Sequence, residues 1–379
     1  MIWIALKMLV NDRSKYFGLI IGITFATLLI GQQTSIFVGA LSQTVSTVKD
    51  IGRGDIWVSR KGVETIEFSD PLKEGDLLRV RGVEGVKWAV PVYMGAGIIR
   101  TKTGTMRQTM IIGLDDETLL GAPGRMIWGT PEDLRGPDAI IVDTVARKEL
   151  FGGSVTAGDT LEVNRRRVQV VGLARSSPQF SGMSQIFVRR SVAAQLTAEP
   201  NYAASWFLVD VKPGENVQAV AARINATTGL HARPRDQLSR EVIEWFQKNS
   251  GITEVLGLAI VLGLVVGTVI VGQTFYMFAI ENMRYFAAMK AIGLGNGKLF
   301  LMLMAQAGFV AAIGCGLGLG LTAAFFVTFA GDDSPLRGMG IPWEVAVLTT
   351  VVVVGMTMVS AVVSARKVIN AEPGLVFRA

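Results

Sequence analysis

The chain has a single cysteine, Cys315, and a single histidine, His231. One thiol forms no disulfide within a chain and no thiolate metal site. One imidazole is too few for a histidine-ligated metal centre, which uses two or three. Charged residues are also sparse, at 18%, against about 25% in ordinary soluble chains. A phosphate-binding loop is missing as well. The nearest stretch ends Gly297-Lys298-Leu299, but Ile292 stands where the first glycine is needed, and Leu299 lacks the hydroxyl that holds magnesium. Gly314-x-Gly316-x-Gly318-x-Gly320 has tempting glycine spacing for a dinucleotide loop. It sits inside an apolar run with no strand before it, so that reading fails. No catalytic residues and no metal ligands are assigned, and the chain itself needs no cofactor.

Apolar residues are what the sequence has in excess. They make up half of the 379 residues and concentrate at the two ends of the chain. Four runs stand out, at 17–41, 252–280, 299–330 and 345–365. Each is long enough to cross a hydrocarbon core of ~30 Å, which takes about 20 helical residues. Helices buried in a soluble core would keep a polar stripe, and these do not. The first run is longer than a signal-peptide core and no A-x-A site follows it, so it reads as an uncleaved anchor. Lys7, Arg13 and Lys15 precede it and hold its start in the cytoplasm.

Residues 1–16 then form a cytoplasmic interfacial segment, with 1–10 as a short amphipathic helix along the inner membrane face. Residues 42–251 lie outside, 281–298 inside, 331–344 outside, and the tail 366–379 inside. The three inner pieces carry nine Lys/Arg against three Asp/Glu, the bias expected of cytoplasmic segments. The fold class is therefore a membrane protein, with four transmembrane α-helices and a large α/β (α+β) periplasmic domain inserted between the first and second. Both termini are cytoplasmic.

Within 42–251, alternating or apolar runs between Gly and Pro markers predict strands at 55–59, 86–100, 107–114, 139–142, 160–163, 168–174, 185–188 and 205–211. Helices are expected at 71–80, 144–150, 191–196, 216–227 and 237–249. The last should run directly into the second span as one long helix. Two subdomains are expected. Asp115 and Asp116 fall in a turn and point differently. Arg165-Arg166-Arg167 reads either as a solvated hairpin tip or as an anion site. The loop 175–184, with Pro, Gly, Phe180 and Met183, suggests a mobile contact loop. Gly263-x-x-x-Gly267 and Gly314-x-x-x-Gly318 put small residues on single helix faces, either for packing within the bundle or for a dimer contact. Gln32, Gln33, Gln273 and Gln306 could hydrogen-bond between helices.

The most informative segment joins the second and third runs: ENMRYFAAMKAIG at 281–293. It is short, helix-compatible, charged at its start and closed by glycine. It resembles the acidic-start, Glu…Arg…Lys-Ala-Ile-Gly signature of the MacB/FtsX superfamily of ABC-transporter permeases. The basic, Pro-containing SARKVINAEP at 364–373 resembles that family's tail, and the one-span, domain, three-span layout matches it. IIGITFATLLI at 20–30 and GDIWVS at 54–59 look most like DevC-type exporter permeases. One departure is that Arg284 stands alone where members often carry two or three arginines.

The resemblance implies a homodimeric permease for ATP-driven efflux or mechanotransmission. It implies a separate cytoplasmic ABC ATPase, which binds ATP and magnesium, and a periplasmic adaptor with an outer-membrane channel. Membrane lipid surrounds it and nucleic acid has no part. By the same resemblance, Glu281, Arg284, Tyr285, Met289, Lys290, Gly293, Arg366 and Lys367 form the ATPase-coupling contact. A lipoprotein-releasing permease and FtsX-like signalling to a cell-wall hydrolase remain the alternatives within the superfamily.

Overall fold

The computed structural model describes residues 2–11, 13–67, 70–101, 104–197, 204–331, 334 and 336–369. In chain order it has α1 (Ile2–Asn11), α2 (Arg13–Gln43), α3 (Ser46–Asp50), β1 (Ile56–Ser59), α4 (Glu74–Arg81), β2 (Val86–Arg100), β3 (Met106–Leu114) and β4 (Met126–Trp128). A single 3-10 turn, Pro131–Arg135, leads to β5 (Ala139–Asp143), α5 (Thr144–Phe151), β6 (Thr160–Val163), β7 (Arg166–Ala174), β8 (Ser184–Arg189) and α6 (Arg190–Thr197). Then come β9 (Trp206–Val211), α7 (Val217–Thr228), β10 (His231–Pro234), α8 (Arg235–Asn249), α9 (Ile252–Glu281), α10 (Met283–Ala291), α11 (Asn296–Phe329) and α12 (Trp343–Ile369). The chain forms two compact units. One combines Met1–Gly39, Ile252–Gly331 and Met339–Ala379; the other combines Ala40–Gly251 and Asp332–Gly338.

In the first unit, α2, α9, α11 and α12 are long and apolar enough to span a membrane. Their shared core holds Ile23, Ala26, Val271, Phe275, Leu303 and Val353, among others. Glycines set how closely the helices approach. A Cβ added at Gly267 would lie 2.7 Å from the Ala26 Cβ, and one at Gly314 would lie 2.5 Å from Ile23 Cγ2. At Gly318 it would meet the Thr24 carbonyl oxygen at 2.7 Å, while Gly263 lies in ordinary contact with Leu29 at 3.6 Å. All four glycine faces are turned to α2. The amphipathic helix expected over 1–10 is present as α1. Ala5 and Leu9 are fully buried, and Gln306 Nε2 on α11 donates to the Ala5 carbonyl at 2.7 Å.

In the second unit, ten strands among the described residues form one sheet, in the order β10-β1-β9-β2-β3-β8-β5-β7-β4, with β6 paired to β2 and β7. The β3–β8 and β5–β7 pairs are parallel. Strand β2 is the spine: residues 86–92 pair with β9, and 93–100 with β3. One sheet therefore runs through the whole of this unit. Separate apolar cores pack against it, one around Trp57, Trp206 and Phe187, another around Ile140, Val170 and Val188, a third around Val80, Val209 and Ile224.

The long helix expected from 237 through the second span is not continuous. Helix α8 closes at Ser250, whose N–H donates to the Phe246 carbonyl at 3.0 Å, and Gly251 takes φ +68. Left-handed glycine just past a helix end is a common stop. The helix that does continue past the division between the units is α2, whose last residues, 40–43, belong to the second.

Glycine packing makes a paired prediction. Gly318→Val should push α11 off α2 and destabilise the protein by about 1–3 kcal/mol, the usual range for overpacking. Gly316→Val, where an added Cβ meets nothing within 4 Å, should be nearly neutral. Thermal unfolding of the detergent-solubilised protein, followed by fluorescence-detected size exclusion, compares them. Equal midpoints would refute the packing account.

Candidate functional site

Helix α10 has two faces of opposite character. Met283, Phe286, Ala287 and Lys290 fall at i, i+3, i+4 and i+7, one side of a helix. Phe286 and Ala287 are buried, and Met283 packs against the bundle core, with Met289 at its margin. Asn282, also buried, anchors the turn before the helix: its Nδ2 donates to the Phe278 carbonyl at 2.9 Å. The opposite side presents Arg284, exposed, and Tyr285, 65% exposed. Ile292, just past the helix end, is 87% exposed. The helix is thus fixed from behind and open in front.

The residues expected to couple to a partner divide by what they touch. Glu281 ends α9 and is exposed, as is Arg366 on α12. Lys290 is held inward: its Nζ donates to the Ile369 carbonyl at 2.8 Å, a cation at the C-terminal end of α12, where the helix dipole favours one. Gly293 ends α10. Its φ is +99, its N–H donates to the Lys290 carbonyl at 3.0 Å, and Leu294 N–H donates to the Met289 carbonyl at 3.0 Å. That bond pair is a Schellman stop, which needs a left-handed residue. Glu281, Arg284, Tyr285 and Arg366 are therefore the exposed members, whereas Lys290 and Gly293 shape the segment. The Lys367 side chain and residues 370–379 lie outside the described residues.

Two family models match the chain. The MacB-like periplasmic core domain covers residues 16–227, and the FtsX-like permease C-terminal domain covers 257–373. The chain belongs to the MacB/FtsX superfamily of ABC-transporter permeases. Permease Rv0072 of Mycobacterium tuberculosis (strain ATCC 25618 / H37Rv) is 25% identical over 365 residues, 95% of this chain and 93% of that protein. Permease Mb2592 of Mycobacterium bovis is 24% identical over 360 residues, 94% of this chain and 93% of that one. Among solved structures, the periplasmic region of MacB from Actinobacillus actinomycetemcomitans aligns with a TM-score of 0.40 at 13% identity, covering 52% of this chain and 95% of that one. The extracellular domain of YknZ from Gram-positive bacteria aligns at 0.36 and 17% identity, covering 48% of this chain and 98% of that one. The permease is a multi-pass inner-membrane protein with its large domain between the first span and the other three.

The permease's outer domain gathers its polar side chains for structure. Asp115 accepts from Thr118 N–H at 3.0 Å and Asp116 accepts from Ser191 N–H at 3.2 Å, so each carboxylate closes a local turn or helix start. Arg165 lies at the tip of the β6–β7 hairpin, where Asn164 and Arg165 both take positive φ. The 175–184 loop, expected to be a mobile contact, is tied down instead: Asp50 accepts from Ser177 N–H at 2.6 Å and Gln179 Nε2 donates to Thr47 Oγ1 at 2.9 Å. Sequence reasoning missed the buried cation Arg233 on β10. Its Nη1 pairs with Glu241 Oε2 at 3.2 Å, its Nη2 donates to Ser59 Oγ at 3.0 Å, and its guanidinium lies over the Trp206 ring at 5.4 Å. It clamps β10 to β1 and α8.

His231 shares that strand. Burial lowers its pKa below the ordinary histidine value, with Arg233 and Lys61 adding to the shift and Glu241 opposing it. A depressed folded pKa means the unfolded chain takes up the proton first. Stability from this group is therefore present above the unfolded value, about 6.5, and is lost as pH falls through the folded one. Asp55 and Glu67, both raised mainly by burial, act in the opposite sense at lower pH, so the comparison must be between proteins. Between about pH 7 and pH 5, the unfolding midpoint of the outer domain, read from tryptophan fluorescence of the full-length permease, should fall more steeply in the native protein than in His231→Gln. Parallel curves would show that His231 is not the titrating group.

Proposed function

We propose that this permease is the membrane subunit of an ATP-driven export and mechanotransmission complex. It works as a homodimer, a separate cytoplasmic ABC ATPase supplies ATP hydrolysis, and a periplasmic adaptor with an outer-membrane channel receives the output. The observation that carries this reading is the exposed side of α10. A short helix held from behind by Phe286 and Ala287, with Arg284, Tyr285 and Ile292 left open, suits docking. Arginine and tyrosine are enriched where partners bind. The coupling surface proposed here is Glu281, Arg284, Tyr285 and Ile292, with Arg366 beside it in the sequence pattern of the tail.

The homodimer draws support from α9. Only 17% of its most apolar window is buried within the chain, against 50% for α2 and 39% for α11 and α12. It is the span with most free surface for a second copy, as well as for lipid. The DevC-type output rests on the resemblance of residues 20–30 and 54–59, and the adaptor and channel follow from that resemblance alone.

Co-purification of the detergent-extracted permease, with mass spectrometry of its partners, tests the reading. A P-loop ATPase should co-purify in stoichiometric amount. Arg284→Glu combined with Tyr285→Ala should reduce it by about tenfold or more, the effect expected for central interface residues, without loss of membrane insertion. Absence of any ATPase, or retention of it in the double variant, would contradict the proposed surface.

A further inference from the structure

The outer unit contains a cavity of about 680 Å3 with a cationic wall. Lys49, Arg125, Arg147, Arg175 and Arg337 line it, and Asp50 is the one acidic residue among the described residues that do. That carboxylate is already engaged. Its Oδ2 accepts from Ser177 N–H at 2.6 Å and its Oδ1 from Ser177 Oγ at 2.7 Å. The five basic residues come from five separate parts of the chain. Lys49 is on α3, Arg147 is on α5, and Arg337 is in the loop between α11 and α12. Arg125 and Arg175 flank the β4–β7 pair, joined where Arg175 N–H donates to the Arg125 carbonyl at 2.8 Å. Like charges gathered from five segments oppose folding unless something of opposite charge offsets them.

A second observation points the same way. Three residues lining the cavity carry buried polar atoms that lack a hydrogen-bond partner: Ser46 Oγ, Arg147 Nε and Ser176 Oγ. Ser46 is 2% exposed and Ser176 5%. Buried polar groups are almost always hydrogen-bonded, so these three donors on one cavity wall suit an acceptor held inside it. The guanidinium fork and serine hydroxyls are the donors that recognise phosphate oxygens.

We propose that this cavity binds a phosphate ester, carried on the headgroup of a phospholipid. The volume exceeds what a bare phosphate needs and falls in the range of small-molecule sites, about 300–1,000 Å3. Chain connectivity favours a lipid source. Ser42 and Gln43, which also line the cavity, are the last residues of the first spanning helix. Arg337 and Gly338 lie in the short loop joining the third and fourth spans. The site is independent of the ATPase reading and stands or falls without it.

Calorimetric titration of the full-length permease in a neutral maltoside detergent tests it, with three probes: inorganic phosphate, glycerol 1-phosphate and dihexanoyl phosphatidylglycerol. Saturable binding of the short-chain lipid, competed by glycerol 1-phosphate, is the expected result. Arg147→Gln and Arg175→Gln should each weaken it about tenfold, the loss expected for one charge-assisted hydrogen bond, with the unfolding midpoint checked for each variant. Should Arg147→Gln fail to fold, the exposed Arg175 still reads the site. Inorganic phosphate binding as tightly as the lipid would keep the anion site and make free phosphate its source. Absence of saturable binding by all three probes, or affinity untouched by a folded variant, would overturn the proposal.

Discussion

Close backbone approach between α2 and its neighbours is the constraint on which the membrane half depends. Lipid is as apolar as leucine, so spanning helices gain nothing by hiding leucines from it. They associate through tight packing and hydrogen bonds. Gly267 on α9 and Gly314 and Gly318 on α11 allow this by placing nothing between the helices. Thr27, fully buried on α2, has its hydroxyl 2.8 Å from the Ile23 carbonyl on its own helix and 3.8 Å from Cys315 Sγ on α11. It therefore sits against Gly318 without an unmet polar group in hydrocarbon.

That same helix changes how motion could be passed outward. A continuous rod from α8 into α9 would transmit force stiffly, but the left-handed turn at Gly251 interrupts it. An added Cβ there meets nothing, so the glycine answers to backbone conformation rather than to crowding. Helix α2 has no such break from Arg13 to Gln43.

What was legible in the sequence follows from periodicity. The four spans and most strands of the outer domain carry long apolar or alternating patterns, and β2 appears over residues 86–100 as expected. Four short elements went unseen. The five-residue α3, the three-residue β4 and the 3-10 turn at 131–135 are too short to show a period. Strand β10 reads His-Ala-Arg-Pro, four residues with no alternation to read, and is a strand through its antiparallel pairing with β1. Residue roles were harder to see than elements. Arg165-Arg166-Arg167 lies at the β6–β7 hairpin, one of the two readings its sequence allowed. The basic cavity is built from residues dispersed between 49 and 337, so no local window could reveal it. Over residues 281–293 the sequence alone could not separate Lys290 and Gly293, which shape the segment, from Arg284 and Tyr285, which it exposes.

The membrane arrangement is the claim from which the rest follows, and the single native cysteine makes it directly measurable. In a Cys315→Ser background, cysteines introduced at Asp159 and at Arg284 can be probed on intact spheroplasts with a membrane-impermeant maleimide. The account predicts that the cysteine at 159 is labelled at once and the one at 284 only after the membrane is opened. Labelling of 284 from outside, or protection of 159, would contradict the four-span arrangement, and with it both the coupling surface and the outward-facing domain.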